Sequence, residues 1–375
     1  MRILITNSTV ASRSGTELYV RDLACGLLGR GYRPVVYTPK LGPLARELRD
    51  KTVPVTDCLD SITETPEIIH GQHNLETMTA LLRFTRTPAL FVVHDNMARQ
   101  DVPPRFPRIL RYVAVDYTCR DRLVFEHGIP EDMARVILNS VNLSVFKPRG
   151  ALPARPRRAL IFSNASSAHF AAVREACAQS GLELDVLGHD SGNMSSNPEE
   201  SLGRYDIVFA KARCALEALA VGASVVLCDF RGVGPMVTAN ELDSLRRLNF
   251  GHRTLRSEIS SETIAREIAR YDAADAAEVS RRVRAVAGSE LMLDEITSLY
   301  SEVAEEYAAS PKRDAEAELQ AASSYLHWLT LRLNEEREAI SNSPVRRMGK
   351  RLRGAPLIGR LARALDRKLL TPRPR

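Results

Sequence analysis

Three charged side chains stand close together in residues 205–230, YDIVFAKARCALEALAVGASVVLCDF. Lys211 and Arg213 are two apart, and Glu217 follows Arg213 by four. Two cations at a helix start, where backbone N–H groups point outward, suit an anionic ligand such as a phosphate. A carboxylate one turn further in can accept hydrogen bonds from sugar hydroxyls. Arg213 and Glu217 could equally form a surface i,i+4 pair. Two histidines add to the list. His73 closes EIIHGQH and His94 follows ALFVV. A histidine just beyond a buried strand stands where α/β sheets bind ligands; a satisfied strand-end histidine is the alternative. His94 and Asp95 are neighbours on a strand, point apart and are not paired as base and orienter.

The elements that must position these residues follow from apolar patterning. Ile207, Val208 and Phe209 read as a strand buried on both faces. Leu216, Leu219 and Ala220 recur at helical spacing, and Gly222 ends the helix. Residues 224–228 are a second buried strand, so the unit is a parallel βαβ. The amino-terminal residues repeat the pattern, with strand 2–5, polar turn 7–15, helix 16–29 and strand 34–37. Gly15 either relaxes that turn or lets a diphosphate approach backbone N–H groups at the helix start. Further strands are expected at 67–73, 89–95, 112–118 and 135–138. Three prolines and a glycine within 147–158 read as an interdomain linker. A second alternation follows, with strand 158–162, helix 169–180, strand 182–187 and the 205–230 unit. Gly232, Val233 and Gly234, before Pro235, read as a helix start whose backbone could bind phosphate or sugar oxygens, or as an ordinary turn. Helices at 260–271, 274–287 and 289–310 complete the body.

Composition narrows the class. With 375 residues and 44% hydrophobic content the chain can build two domains of ordinary size. The six cysteines are scattered, without a CxxC pair, which fits a reducing cytoplasm. The start, MRILITNSTV, runs straight into a strand, so no cleavable signal peptide is expected. No apolar run approaches the roughly 20 residues of a membrane span. Residues 343–375 hold eleven Lys or Arg against the single acid Asp366, a net +10, which leaves −4 on the rest of a chain whose total is +6. The basic character therefore belongs to the tail.

The segment ALEALAVGASVV, with Glu217 inside it, resembles the donor-site helix of family-4 glycosyltransferases, which have the GT-B fold. That resemblance implies that Glu217 holds the nucleotide ribose. SGTELYVRDLACGLLGRGYRPVVYTP resembles the family's opening unit, in which the glycine loop at Gly15 faces the donor phosphate. His94 resembles the family's histidine beside the donor sugar, and VILNSVNLSVFKP the segment leaving the first domain. Two departures stand out. The family's first motif glutamate is Phe209 here. The arginine and lysine expected on the donor diphosphate are absent, with Ser163 and Asn164 in the arginine's place and His169 near the lysine's. Lys211 and Arg213 are the replacement cations.

The expected fold is α/β, GT-B, with two Rossmann-like domains facing across a cleft and a C-terminal helical extension. The domains are 1–147 on the acceptor side, linker 148–157, a donor-binding domain at 158–310, a helical segment at 311–342 and a basic amphipathic tail at 343–375. The absence of a GxGxxG fingerprint with its ribose acid argues against a dehydrogenase. The resemblance, over roughly 1–308, implies a retaining glycosyltransferase that moves a sugar from a nucleotide-sugar to a glycan or lipid-linked acceptor, in cell-surface polysaccharide assembly, with no cofactor and no metal. Lys211, Arg213 and His94 are its catalytic candidates. Gly15, Asn164, Glu217, Gly232, Val233 and Gly234 are the donor-binding candidates, and His73 is an acceptor-side candidate. The other class is a degenerate GT-B protein that binds a glycan or partner without turnover.

Beyond the body, Leu319, Ala322, Leu326, Leu329 and Leu333 step by 3 and 4, a short heptad seam compatible with a homo-oligomer through 314–340 or with packing on the body. In the tail Leu357, Leu361, Leu365 and Leu369 share one helical face and Arg360, Arg363 and Arg367 another, as in a cationic amphipathic helix on an anionic membrane; a solvated tail is the alternative. The tail has no aromatic residue to stack on bases, so nucleic acid is not an expected partner. The expected location is cytoplasmic, peripheral on the inner face of the membrane.

Overall fold

The structure, a computed structural model, describes residues 1–163, 169–188, 197–309 and 314–341. The described residues divide into two compact units. One holds both sheets and the helices around them, and the other holds Arg105–Pro107 and the last helix.

The first half of the large unit carries β1 (Arg2–Thr6), α1 (Gly15–Gly29), β2 (Arg33–Tyr37), α2 (Pro43–Asp50), β3 (Val55–Thr56), β4 (Ile68–Gln72), α3 (Asn74–Arg83), β5 (Ala89–Val93), β6 (Ile109–Ala114), α4 (Tyr117–Asp121) and β7 (Ala134–Val136). The strands form one parallel sheet in the order β3-β2-β1-β4-β5-β6-β7. Ile3, Leu4, Ile5, Ile68, Ile69 and every residue of β5 are buried, which is why these strands read as continuous apolar runs rather than alternating ones. Strand order reverses between β1 and β4, leaving a crevice at their carboxyl ends.

The second half carries β8 (Arg158–Phe162), α5 (Phe170–Gln179), β9 (Glu183–Leu187), α6 (Pro198–Ser201), β10 (Ile207–Ala210), α7 (Ala212–Val221), β11 (Ser224–Asp229), β12 (Gly232–Met236), α8 (Leu242–Arg247), α9 (Ser261–Ile268), α10 (Ala273–Val286) and α11 (Ser289–Ala309). Its sheet runs β12-β11-β10-β8-β9, parallel except for the antiparallel β12. The reversal falls between β8 and β10, so α7 leaves from the edge of the second crevice. Val208 and Ala210 face a core shared with Leu216, Leu219 and Val283. Ile207 and Phe209 face the other core, with Ile161, Val226 and Met236. Gly222 caps α7 at φ 102, as read from the sequence.

α11 lies within the stretch 158–310 yet packs on the first sheet's side. Arg30 of α1 bonds Glu290 and Asp294 at 2.7 Å each. Arg111 of β6 meets Glu306 at 2.6 Å, and the Tyr300 hydroxyl lies 2.7 Å from His70 Nδ1. The smaller unit contains α12 (Ala315–Ser341), which lies within the helical segment expected at 311–342. Leu319, Leu326 and Leu333 of its seam are exposed. No described helix is long and apolar enough to cross a membrane.

The candidate functional site

The head of α7 is held by backbone and by charge. Ala212, its first residue, takes φ 49, a conformation that costs an L-residue roughly 1–2 kcal/mol. Its N–H donates to the carbonyl of Phe250, itself at φ 50, at 3.0 Å. Strain of this kind persists where the surroundings fix it, often at ligand sites. Lys211, the residue before, forms an ion pair with the fully buried Asp229 at the end of β11. The other oxygen of Asp229 accepts the backbone N–H of Arg231 at 2.7 Å.

Arg213 is not a surface residue. Its Nε donates to Glu217 at 2.7 Å and its Nη2 to Asp22 of α1 at 2.5 Å. The i,i+4 pair weighed from the sequence exists, but it is largely buried and reaches into the first half of the unit. Glu217 is 6% exposed along its side chain. Burial pushes its carboxyl above the usual range, while the Arg213 guanidinium holds it down. Asp22 ends below its ordinary value because Arg213 and Arg21 outweigh the effect of burial. Arg213 is thus neutralised by two carboxylates and keeps Glu217 in place from one side. Phe209 is a fully buried core side chain and offers no polar group.

The β1–α1 turn is built around Glu17. This buried carboxylate accepts from the N–H groups of Ala11, Ser12 and Ser14 and from the Ser12 hydroxyl, at 2.5–2.9 Å. Burial alone would raise its pKa, but the donors of Ser12 and Ser14 bring it down to about 2. Gly15 heads α1 with nothing within 4 Å of where a side chain would begin, so the space beside this helix start is open to a ligand.

His73 and His94 stand at the carboxyl ends of β4 and β5. His73 holds φ 58, and its Nδ1 accepts the Ser8 N–H at 3.0 Å, which places its proton on Nε2. The His94 ring packs edge-on against Tyr19, with centroids 4.6 Å apart. Burial lowers the pKa of His70 and His94 to about 3 and that of His73 to about 4, so all three rings are neutral at pH 7. Their Nε2 atoms and the buried amide of Gln72 have no hydrogen-bond partner among the described residues. A buried polar atom left so is expected to meet water or ligand.

Two further expectations concern the second half. The helix start anticipated at Gly232, Val233 and Gly234 is instead strand β12. The Val233 N–H is spent on the carbonyl of Ser257 at 2.9 Å. A side chain at Gly234 would begin 2.7 Å from the Thr254 carbonyl, and one at Gly232 3.0 Å from that of Ser257. These glycines are therefore required by close backbone approach within the protein, which a local pattern does not reveal. Asn164 lies outside the described residues. Among the described residues no three His, Cys, Asp or Glu side chains converge as a metal site.

The two halves meet at several side chains besides Asp22 and Arg213. Arg253 bonds Asp121 at 2.6 Å, Asn96 lies 3.4 Å from His252, and Arg231 lies 3.5 Å from the Met97 sulfur. Sequence reading missed Asp22, Asp229 and Arg231, whose roles depend on pairings between distant segments. Glu17 had a local signal: Ser14 followed three residues later by glutamate is a capping-box pattern.

Residues 13–145 match the family model described as Glycosyltransferase Family 4, so the family-4 resemblance holds over that stretch. No curated protein matches the chain. Among solved structures, Alr3699/HepE from Anabaena in complex with UDP is 15% identical with a TM-score of 0.61, over 80% of this chain and 100% of that one. A glycosyltransferase from Rickettsia africae ESF-5 is 16% identical with a TM-score of 0.59, over 80% of this chain and 98% of that one. The catalytic domain of starch synthase IV from Arabidopsis thaliana, bound to ADP and acarbose, is 9% identical with a TM-score of 0.52, over 81% and 99%. At these identities the likeness establishes a shared fold, and that fold is GT-B.

Proposed function

We propose that the chain is a nucleotide-sugar-dependent glycosyltransferase that retains anomeric configuration. The observation carrying this reading is the meeting of the β1–α1 and β10–α7 units, each leaving a sheet next to its crevice and joined through Asp22 and Arg213. Backbone N–H groups at the head of α1, beside the open space at Gly15, face the donor phosphates. Glu217, held in place by Arg213, accepts from the ribose. Lys211 offsets charge that grows on the departing diphosphate as the glycosidic C–O bond breaks. His94, neutral and facing the cleft end of β5, contacts the donor sugar, and His73 lies on the acceptor side. The family-model match over 13–145 and the UDP and UDP-glucose complexes of Alr3699/HepE support a nucleotide-sugar donor. The acceptor in this reading is a glycan or lipid-linked glycan of cell-surface polysaccharide assembly, met at the cytoplasmic face of a membrane through the +10 tail.

A second reading draws on one observation, the core side chain Phe209 where the family carries a glutamate. It makes the chain a glycan- or partner-binding assembly subunit without turnover. Thermal shift of the full chain against UDP-, GDP-, ADP- and CMP-sugars identifies the donor, since a ligand at 100 times its dissociation constant stabilises by about 2.7 kcal/mol. Turnover is then measured with that donor. Release of nucleotide supports the enzyme; tight binding with no release or transfer supports the subunit; no stabilisation by any donor overturns the first reading.

A further inference from the structure

Resting on the donor reading above, we propose that Arg231, together with Lys211, binds the diphosphate of a nucleoside diphosphate, and that Arg213 does not. Charge accounting at the carboxyl ends of β10 and β11 leads to this assignment. Arg213 is shared between Asp22 and Glu217 and has no charge to spare. Arg231 is exposed, and among the described residues its guanidinium bonds no carboxylate. It rests over the ring of Phe230, Cζ 5.3 Å from the centroid, and its Nη1 lies 3.5 Å from the Met97 sulfur. The Lys211 ammonium lies 5.9 Å from the centroid of the same ring. Two cations therefore converge on one half-exposed aromatic side chain.

Asp229 organises this arrangement. One of its oxygens fixes Lys211 and the other fixes the backbone of Arg231. Its single negative charge leaves one positive charge over. The ammonium has three donors, and Asp229 accounts for one of them. Around the pair, Arg253 is occupied by Asp121, and Asp95 has its Oδ1 taken by the N–H groups of Met97 and Ala98. His252 lies close by; burial first, then the charges of Arg231 and Lys211, lower its pKa, with Asp95 opposing them. A neutral imidazole there adds a hydrogen-bonding group and no further repulsion. An anion seated between Lys211 and Arg231 would relieve the repulsion of two like charges held together. The strained head of α7 adjoins Lys211 directly, with the Ala212 N–H spent on the Phe250 carbonyl.

The shared ligand chemistry is a diphosphate, whether carried by a nucleotide or free as pyrophosphate. Isothermal titration of the full chain with UDP, GDP, ADP and inorganic pyrophosphate, for wild type and Arg231→Gln, tests the assignment. A nucleotide that binds wild type should bind Arg231→Gln about tenfold more weakly or worse, the loss of roughly one charge-assisted hydrogen bond. Pyrophosphate should compete with that nucleotide in the wild type, and Arg231→Lys should recover part of the affinity. The matching nucleoside, which lacks the diphosphate, should bind both proteins alike. Arg231→Gln with wild-type nucleotide affinity and an unchanged melting temperature overturns this inference and leaves the glycosyltransferase reading intact. A wild type that binds none of the four probes overturns both.

Discussion

The guanidinium of Arg213 on α7 and the carboxylate of Asp22 on α1 lie 2.5 Å apart and join the two sheets' helices across 191 positions of sequence. Glu217 shares the same guanidinium. Removing the arginine leaves the buried Glu217 without a cation and Asp22 with Arg21 alone. Arg213→Ala should therefore lower the unfolding free energy by about 3–5 kcal/mol, the usual cost of breaking a buried pair from one side. Urea denaturation measures this, and a midpoint equal to that of the wild type would show that the pair carries no weight.

Glu217→Ala tests the ribose role separately. Buried carboxylate-to-hydroxyl hydrogen bonds of the kind assigned to Glu217 are worth roughly 1–3 kcal/mol when lost. Donor affinity should drop by that amount in a mutant that still folds. Arg213, freed of one partner, keeps Asp22, so the fold should survive better than in Arg213→Ala. Unchanged donor affinity removes Glu217 from the site.

Acid should unfold this protein in two stages. The folded pKa values of His70, His73 and His94 lie at about 3 to 4, below the unfolded value of 6.5. Between those limits the unfolded chain binds protons that the folded chain does not, so stability falls as pH drops below about 6.5. Glu17, lowered from 4.5 to about 2, adds a second loss that starts below pH 4.5 and is complete as pH passes 2. Denaturation midpoints at pH 7.5, 6 and 5 should decline steadily, and His70→Asn should flatten the decline by about one proton. A flat profile from pH 7.5 to 5 contradicts neutral buried histidines.

What could be read from the sequence was what is local. β10, α7 and β11 announced themselves because strands buried on both faces are apolar throughout and Gly222 marks the helix end. The same holds for β1, α1 and β2. β12 did not, because its glycines answer to the backbones of Leu255, Ser257 and Thr254, residues about twenty positions away. Within the site, Lys211, Arg213 and Glu217 were found by spacing, yet spacing could not tell which cation is already neutralised. That depends on Asp22 and Asp229, which reach the α7 head only through the sheet topology. Arg231 was passed over for the same reason: spacing shows neither that Asp229 pairs with Lys211 nor that the Arg231 guanidinium reaches Met97.

The last prediction concerns the tail, residues 343–375, whose structure lies outside the described residues. Its net charge is +10, with leucines at four-residue spacing between positions 357 and 369. An anionic leaflet attracts each nearby Lys or Arg by about 1 kcal/mol, and buried leucines add a hydrophobic contribution. Salt should weaken the first and spare most of the second. The rest of the chain, at −4, contributes little attraction. The full chain should float with anionic liposomes at low salt and partly release at high salt. A chain ending at position 342 should stay in the soluble fraction while its donor binding persists. It should also lose more activity on a lipid-linked acceptor than on a soluble analogue. A truncated chain that floats as well as the full one, or a full chain indifferent to anionic lipid at low salt, sinks the assignment of this tail to a membrane.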